Sequence, residues 1–587
     1  MEKIKKTGAL ALVLSLLLTI WPAIPVSAET SGSCGDNLAW TLDDECTLTI
    51  SGTGKMKNYE GFSPWQNMAL SRVVIEEGVT SIGNWAFVGC ESLRSISLPD
   101  SLTCIGDDAF SGCVSLAAIT IPKNVTSLGE TIFFGCCSLA AITVSKENLV
   151  FSSCEGALFN KEGTRLLYCA GGKAGEYAIP DGVTAIADAA FMDCLFLTGI
   201  TIPKSVTDIE EKAFFTCYVL ETITVSQENP AYSSDAGVLF DKNKTKLIRC
   251  PETKSGTYEI PDSVTEIGCY AFFDCRNLTA ITIPNSVTTI EDQAFSCCFN
   301  LTSLNVPEDL IYLGDSAFSA CMGIANLTIP QGITYIPWGA FSNCENLTSL
   351  TISQGVVNIG PYAFDGCLNL DNVTISENVT GVSSGAFQNC FALTSVTIPA
   401  SVDTIGDHAF GYYSEKYSSE LIPVPGFTIT GYRGTAAEAY ARGNGFKFVS
   451  AEQQALVKAQ GKVDSGLYTP ESVAGLEKVI EAARAVLEDE SATREEIYDQ
   501  MSALQAALEK LELIYPHIVW GDVDGTGEVT PADALMALQA ATGKIILDDE
   551  QTAAANVDGH GKITSADALL VLQYATKKIR AFPVMTE

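Results

Sequence analysis

Two short stretches near the carboxy terminus place oxygen-bearing side chains at alternate positions around a central glycine. The first is Gly521-Asp522-Val523-Asp524-Gly525-Thr526-Gly527-Glu528-Val529-Thr530-Pro531-Ala532-Asp533. The second, Ala555-Asn556-Val557-Asp558-Gly559-His560-Gly561-Lys562-Ile563-Thr564-Ser565-Ala566-Asp567, repeats it 34 residues later. Counted from Asp522, positions 1, 3, 5, 7, 9 and 12 are Asp522, Asp524, Thr526, Glu528, Thr530 and Asp533. Counted from Asn556, they are Asn556, Asp558, His560, Lys562, Thr564 and Asp567. Donors at these six positions, with a main-chain carbonyl at the seventh, converge on one point and suit a hard cation that takes six to eight oxygens, which is calcium. Gly527 and Gly561 stand at position 6, where the chain must turn sharply. Two sites are expected, the second weaker, because Asn556 and His560 leave it only Asp558 and Asp567 as carboxylates. Val529 and Ile563 at position 8 are expected to pair the two loops. A metal-free acidic helix pair is the plainer reading, and the coincident glycines argue against it.

Position 12 is Asp in both copies, and each copy runs into a helical stretch (Leu535, Leu538 and Leu569, Leu572). A duplicated loop of this kind resembles the type I dockerin of cellulosome components, over roughly residues 520–582. The resemblance implies a calcium-dependent module that plugs into a cohesin domain of a separate scaffold protein. It also implies contact positions at loop positions 10 and 11, which are Pro531 and Ala532, Ser565 and Ala566. Docking in two orientations related by a half turn is a further implication of the duplication.

Most of the chain is a repeat that displays this tail. Phe recurs at 87, 110, 133, 191, 214, 272, 295, 318, 341, 364, 387 and 410. The step is 23 residues except for two steps of 58, each containing an insertion of 35. The frame is Ile-Pro-x-Ser-Val-Thr-x-Ile-Gly-x-x-Ala-Phe-x-x-Cys-x-x-Leu-Thr-x-Ile-Thr, and a period in the twenties with regular leucines predicts a leucine-rich solenoid. The alternating, β-branched run from Leu393 to Ile398 predicts a short strand with Thr394 and Thr397 facing out. Pro399 ends it by removing a donor. One coil cannot bury its apolar residues alone, so each Phe is expected to lie on its neighbour. The two insertions, 145–179 and 226–260, are copies of each other and read as β-hairpin extensions. Ile-Pro, Ser-Val, Ala-Phe and Cys-x-x-Leu recurring together resemble the BspA-type leucine-rich repeats of bacterial surface proteins.

The expected organisation is multidomain. Residues 1–28 read as a secretory signal peptide: three lysines, an apolar run, then Val26-Ser27-Ala28. Residues 29–72 form an amino-terminal β cap, and 73–449 a leucine-rich repeat β-solenoid with its carboxy-terminal cap. Residues 450–515 are helical by spacing and capping boxes (Ser450 with Gln453, Thr493 with Glu496), and are expected to form a small three-helix bundle. The stretch Tyr468-Thr469-Pro470-Glu471-Ser472 with the helices after it resembles FIVAR-type spacers. Residues 516–583 are the all-α calcium-binding dockerin.

Composition excludes several functions. A net charge of −35 argues against nucleic acid and anionic membrane as partners, and no second apolar stretch suggests a transmembrane anchor. Eleven of the twenty cysteines follow a repeat Phe by three residues, so they read as one column of small buried residues rather than a bridging framework. Cys34 and Cys46, flanking a hairpin in the cap, are the best candidates for a disulfide. Only three histidines exist (His408, His517, His560), and the acid pairs Asp107-Asp108 and Glu210-Glu211 fall at turn positions, so no catalytic residues are expected. Thr120, Thr143, Thr201, Thr224, Thr282, Thr328, Thr351, Thr374 and Thr397 make an outward ridge, without a repeating Trp platform for sugars. The expected protein is secreted, non-catalytic and adhesive. It docks on a cohesin-bearing scaffold and presents its solenoid to a protein, cell-surface or glycan ligand. A glycan-binding or inhibitory accessory of a polysaccharide-degrading complex is the alternative.

Overall fold

The computed structural model describes residues 30–61, 63–415, 420–465, 468–489, 492–511, 519–526, 528–558 and 562–582. The leader read at 1–28, and His517, Gly527, His560 and Gly561, lie outside the described residues. The chain divides into two compact units, Met1–Pro307 and Glu308–Glu587, so the boundary falls inside the repeat array.

The first unit opens with antiparallel β1 (Ser31–Gly35), β2 (Leu38–Leu42) and β3 (Thr47–Gly52). β3 then pairs in parallel with Arg72–Ile75, the first strand of the coil stack. Cys34 and Cys46 lie at opposite ends of β2, near the turns that precede and follow it, and both are free thiols. A five-residue strand spans about 17 Å, well beyond the reach of a disulfide, so that pairing is corrected.

Each coil contributes two short strands, and the parallel partners sit 23 residues apart: Ala141 to Ala118 and Ile142 to Ile119 on one face, Ser127 to Cys104 on the other. The first face carries the Thr ridge, with Thr120 and Thr143 hydroxyls 2.8 Å apart. The second sheet comes from the Val-Thr-x-Ile segment, which the sequence reading left without a strand. Inside, Phe87, Phe110 and Phe133 stack with centroids 5.6 and 6.1 Å apart. Trp65 closes the open end, 5.6 Å from Phe87, with its indole N–H donating to Ala86 O. Burying one such ring, at about 25 cal/mol per Å2 over roughly 150 Å2, contributes several kcal/mol.

The insertions are antiparallel meanders. Phe151–Cys154 pairs with Ala157–Asn160, and Ala157–Asn160 with Arg165–Tyr168; Arg165 and Leu166 then rejoin the parallel sheet. The second copy does the same with Tyr232–Asp235, Val238–Asp241 and Lys246–Arg249. A fully buried Asn opens each. Asn148 Nδ2 donates to Pro122 O and Val125 O, and its Oδ1 accepts from Val150 N and Phe151 N. Asn229 repeats all four bonds with Pro203, Val206, Ala231 and Tyr232. Asn148→Ala would remove four hydrogen bonds to main-chain groups, three of them buried. It is expected to cost about 2–4 kcal/mol, read as a lowered urea midpoint, whereas a change under half a kcal/mol would show that the bracket is dispensable.

The insertions also interrupt the ring column, contrary to the expectation that every Phe lies on the next. Phe133 meets Tyr168 edge-on at 5.8 Å, and Phe191 meets Tyr177 at 5.9 Å. The reason is a substitution of roles. Phe87 N donates to Ala109 O and Phe191 N to Ala213 O, and in the insertion coils Cys169 N donates to Ala190 O and Cys250 N to Ala271 O. A thiol therefore stands where the other coils have a ring.

In the second unit Phe318, Phe341, Phe364, Phe387 and Phe410 stack at 5.5, 5.5, 5.1 and 4.9 Å. Thr428–Gly431, helix α1 (Ala436–Gly443) and Lys447–Ser450 cap them. Tyr440 hydroxyl donates to Phe410 O at 2.9 Å and accepts from Phe410 N at 3.0 Å, satisfying the last ring's backbone. Helices α2 (Ala451–Asp464), α3 (Pro470–Glu488) and α4 (Arg494–Leu508) follow. They bury Leu456, Leu476, Ile480, Ala483 and Leu504 among themselves. Thr493 and Glu496 form the expected capping box. The tail adds α5 (Pro531–Ala541), α6 (Asp549–Ala555) and α7 (Ser565–Ala575).

Candidate metal centre and docking face

Asp533 occupies the third position of α5 and is completely buried. Its Oδ1 accepts from Val523 N at 2.7 Å and Asp524 N at 3.0 Å; its Oδ2 accepts from Thr530 N at 2.8 Å and Thr530 Oγ1 at 2.9 Å. One carboxylate thus ties the start of the loop to the start of the helix. Asp522 Oδ1 and Asp524 Oδ1 both accept from Thr526 N. Carboxylate oxygens of Asp522, Asp524 and Asp533 lie within 4.8 Å of one another. Three such charges repel by roughly 1–4 kcal/mol per pair at effective dielectrics of 20–80, so the cluster fits a bound cation. The Thr526 hydrogen bond holds the Asp524 carboxyl below its usual range.

The second loop repeats the framework. Asp567, buried on α7, accepts from Asp558 N at 3.1 Å, Thr564 N at 2.8 Å and Thr564 Oγ1 at 3.0 Å. Burial pushes its carboxyl up, the reverse of Asp524 in the first loop. Asn556, at position 1, is buried and donates through Nδ2 to Ser465 O at 3.3 Å, while its Oδ1 is without a hydrogen bond. An orphaned buried carbonyl oxygen at loop position 1 is what a cation would partner. The residues of the first loop therefore fit calcium, and the described part of the second brings Asn556, Asp558 and Asp567 to its start and end. Glu528 and Lys562 at position 7 are exposed, consistent with a main-chain contribution there. His560 lies outside the described residues.

Val529 and Ile563 are each packed against a buried cluster of the tail. Val529 joins Ala534, Val557 and Val571; Ile563 joins Val523, Ala537, Ala555 and Ala568. Shifted by 34 residues, Val523, Ala537 and Ala568 of one cluster become Val557, Val571 and, in reverse, Ala534 of the other. The two copies exchange core residues, so neither half has a complete core alone. Phe582 completes one cluster, stacked on Tyr574 at 4.5 Å. A Cβ on Gly521, whose φ is +82, would lie 2.6 Å from its ring, so only glycine lets the two ends of the tail close.

Pro531, Ala532, Ser565 and Ala566 are all exposed. Beside them stand residues the sequence reading placed on helices without assigning a role. Leu535, Leu538, Leu569 and Leu572 are 55 %, 41 %, 54 % and 40 % exposed, while Ala534, Ala537, Ala568 and Val571 face inward. Each helix is apolar on both sides. The available signal was that excess: a two-helix module this small cannot bury eight apolar positions.

Elsewhere the expected candidates are structural. Asp107 accepts from Asn84 Nδ2 and Glu130 N, Asp108 from Trp85 Nε1 and Thr131 Oγ1. Glu210 pairs with Arg165 and accepts from Asp188 N. His408 packs edge-on against Tyr412. No helix among the described residues is long and apolar enough to cross a membrane.

Comparison with known proteins agrees with these two parts. Residues 62–162, 168–257, 248–370 and 334–423 match the BspA type leucine rich repeat region, more than half of the chain, and the chain belongs to that family. Residues 520–575 match the dockerin type I domain. Type I dockerins bind calcium, and a dockerin implies a cohesin partner. A leucine-rich repeat protein from Eubacterium ventriosum is 27 % identical, over 67 % of this chain and 97 % of its own, with a TM-score of 0.44. A leucine rich cell surface protein from Faecalibacterium prausnitzii is 26 % identical, over 59 % and 94 %, with a TM-score of 0.39. Among curated proteins none matches.

Proposed function

We propose that this is a secreted, non-catalytic adhesion or recognition protein that docks by a calcium-loaded tail on a cohesin-bearing scaffold and presents its repeat solenoid to a protein or cell-surface ligand. The observation that carries the reading is the tail. A carboxylate cluster at Asp522, Asp524 and Asp533, with Asp522 and Asp533 buried and Asp524 open to solvent, and a duplicated apolar outer face serve no purpose in an isolated helical tail. Calcium is held by Asp522, Asp524, Thr526, Glu528 (main chain), Thr530 and Asp533, and more weakly by Asn556, Asp558, His560, Lys562 (main chain), Thr564 and Asp567. When bound, the ion supplies charge neutralisation and fixes each loop to its helix. Residues 29–72 and 73–449 are then display architecture, 450–515 a FIVAR-like spacer, and 516–583 the plug. The outward Thr ridge and the absence of a Trp column favour a protein or cell surface over a glycan; the accessory role in a polysaccharide-degrading complex is the second reading. Capture of the full chain by immobilised cohesins, with and without chelator, tests the docking. Protein pull-downs and glycan arrays then separate the two ligands.

The docking face comprises Pro531, Ala532, Ser565 and Ala566 with the exposed leucines. Leu535→Asp with Leu569→Asp places a charge in either copy of the apolar face. Cohesin affinity is expected to fall at least a hundredfold, since each buried charge costs several kcal/mol, while calcium affinity is retained. Pro531→Asp with Ser565→Asp is expected to weaken it less. Unchanged affinity in both double variants, by calorimetry, would place the interface elsewhere.

A further inference from the structure

The thiol column has a hydrogen-bonding rule, and the two insertions break it. Cys113, Cys136, Cys217, Cys298, Cys344, Cys367 and Cys390 each donate through Sγ to the carbonyl of the Phe 26 residues earlier, at 3.1–3.4 Å. This explains why the column is cysteine: a small side chain that can still satisfy a buried carbonyl. After each insertion the preceding coil has a thiol in the ring's place. Cys194 and Cys275 reach the carbonyls of Cys169 and Cys250 only at 3.8 Å, and Cys250 and Cys275 share the Pro251 carbonyl at the same distance. All four cysteines are buried and stand as free thiols in this structure.

We propose that Cys169 with Cys194, and Cys250 with Cys275, are disulfide-forming pairs that clamp each insertion to the coil behind it. Four observations support this. The members of a pair occupy adjacent coils, whose parallel strands run about 4.8 Å apart, a spacing compatible with a bridge. The later thiol of each pair lies 3.8 Å from the carbonyl oxygen of the earlier cysteine. Neither has the good carbonyl acceptor that holds the other column thiols. The arrangement occurs twice, 81 residues apart, where the meander has replaced the stacked ring. The oxidant is a low-molecular-weight disulfide such as oxidised glutathione, by ordinary thiol–disulfide exchange. One cysteine sulfur attacks it and releases one reduced thiol; the pair's other sulfur attacks the mixed disulfide and releases the second. Two S–H bonds and one S–S bond are exchanged for one S–S bond and two S–H bonds. The neighbouring cysteine side chain and then burial push the Cys194 and Cys275 thiols well above the ordinary thiol range, so exchange proceeds while a coil is still open during folding.

The test is a map of the full chain exported into an oxidising compartment and held in oxidised glutathione. It is denatured in iodoacetamide and digested without reduction. Four of the twenty thiols are expected to escape alkylation, in two linked peptides joining Cys169 to Cys194 and Cys250 to Cys275. Each linked peptide should be two hydrogens lighter than its parts. Cys194→Ala and Cys275→Ala should each remove one link and keep the other. Alkylation of all twenty thiols, or links between column cysteines, overturns the proposal. Both outcomes are read on the unmodified protein, so a variant that fails to fold does not affect the decision.

Discussion

With calcium removed by chelator, the intact protein is expected to lose cohesin capture entirely and to lose the helices of its tail, while the solenoid melts as before. The tail's two clusters are built mostly from Ala and Val, so apolar burial contributes little. It also buries Asp533 and Asp567 completely, which is costly for carboxylates without a cation. A ligand present at a hundred to a thousand times its Kd adds about 2.7–4.1 kcal/mol. For a module of this size that corresponds to a rise in Tm of roughly 10–30 °C. Circular dichroism melts in chelator and in millimolar calcium read the difference. Asp533→Ala is expected to reproduce most of the chelator effect, because one side chain ties Val523, Asp524 and Thr530 together. Asp567→Ala is expected to do less, since the second loop has fewer carboxylates. Equal melts and equal cohesin capture in both conditions would remove the basis for the docking proposal.

Replacing Phe364 by Ala is expected to be the most damaging single change in the solenoid, at about 3–5 kcal/mol. The ring is wholly buried, with Phe341 and Phe387 rings at 5.5 and 5.1 Å on its two faces. Its loss leaves a cavity and removes two stacked contacts, each worth about 0.5–1.5 kcal/mol beyond burial. In a stacked array each coil touches only its neighbours, so the break divides one cooperative block into two. Urea unfolding of Phe364→Ala should show both a lower midpoint and a shallower transition, and Phe364→Leu should recover about half of the loss. A midpoint shift equivalent to less than 1 kcal/mol would mean the ring column is not the main support.

How much could be read beforehand followed from how local each signal was. The 23-residue step, the outward Thr ridge and the inward Val396 and Ile398 depend on spacing within one coil, and the structure reproduces them. The acid loops were legible for the same reason, since Asp522, Asp524 and Asp533 are brought together by a turn of twelve residues. The interrupted ring column was not legible, because Cys169 and Cys250 look like stray cysteines until the coils are laid on one another. Nor were the separation of Cys34 from Cys46, the sharing of core residues between the two copies of the tail, and the outward direction of Leu535 and Leu569. Each depends on which surface a residue meets from a distant part of the chain.

By itself, then, the order of residues determined the repeat, the acid cluster of the first loop and the helices that begin at Thr530 and Thr564, because short-range geometry imposes all three. Tertiary structure alone decided that the duplicated halves share core residues, that four leucines remain uncovered, and that a thiol takes the ring's place in each insertion coil. Those outcomes come from packing between neighbouring coils and between the two copies of the tail, where periodicity shows that partners exist but not which faces meet.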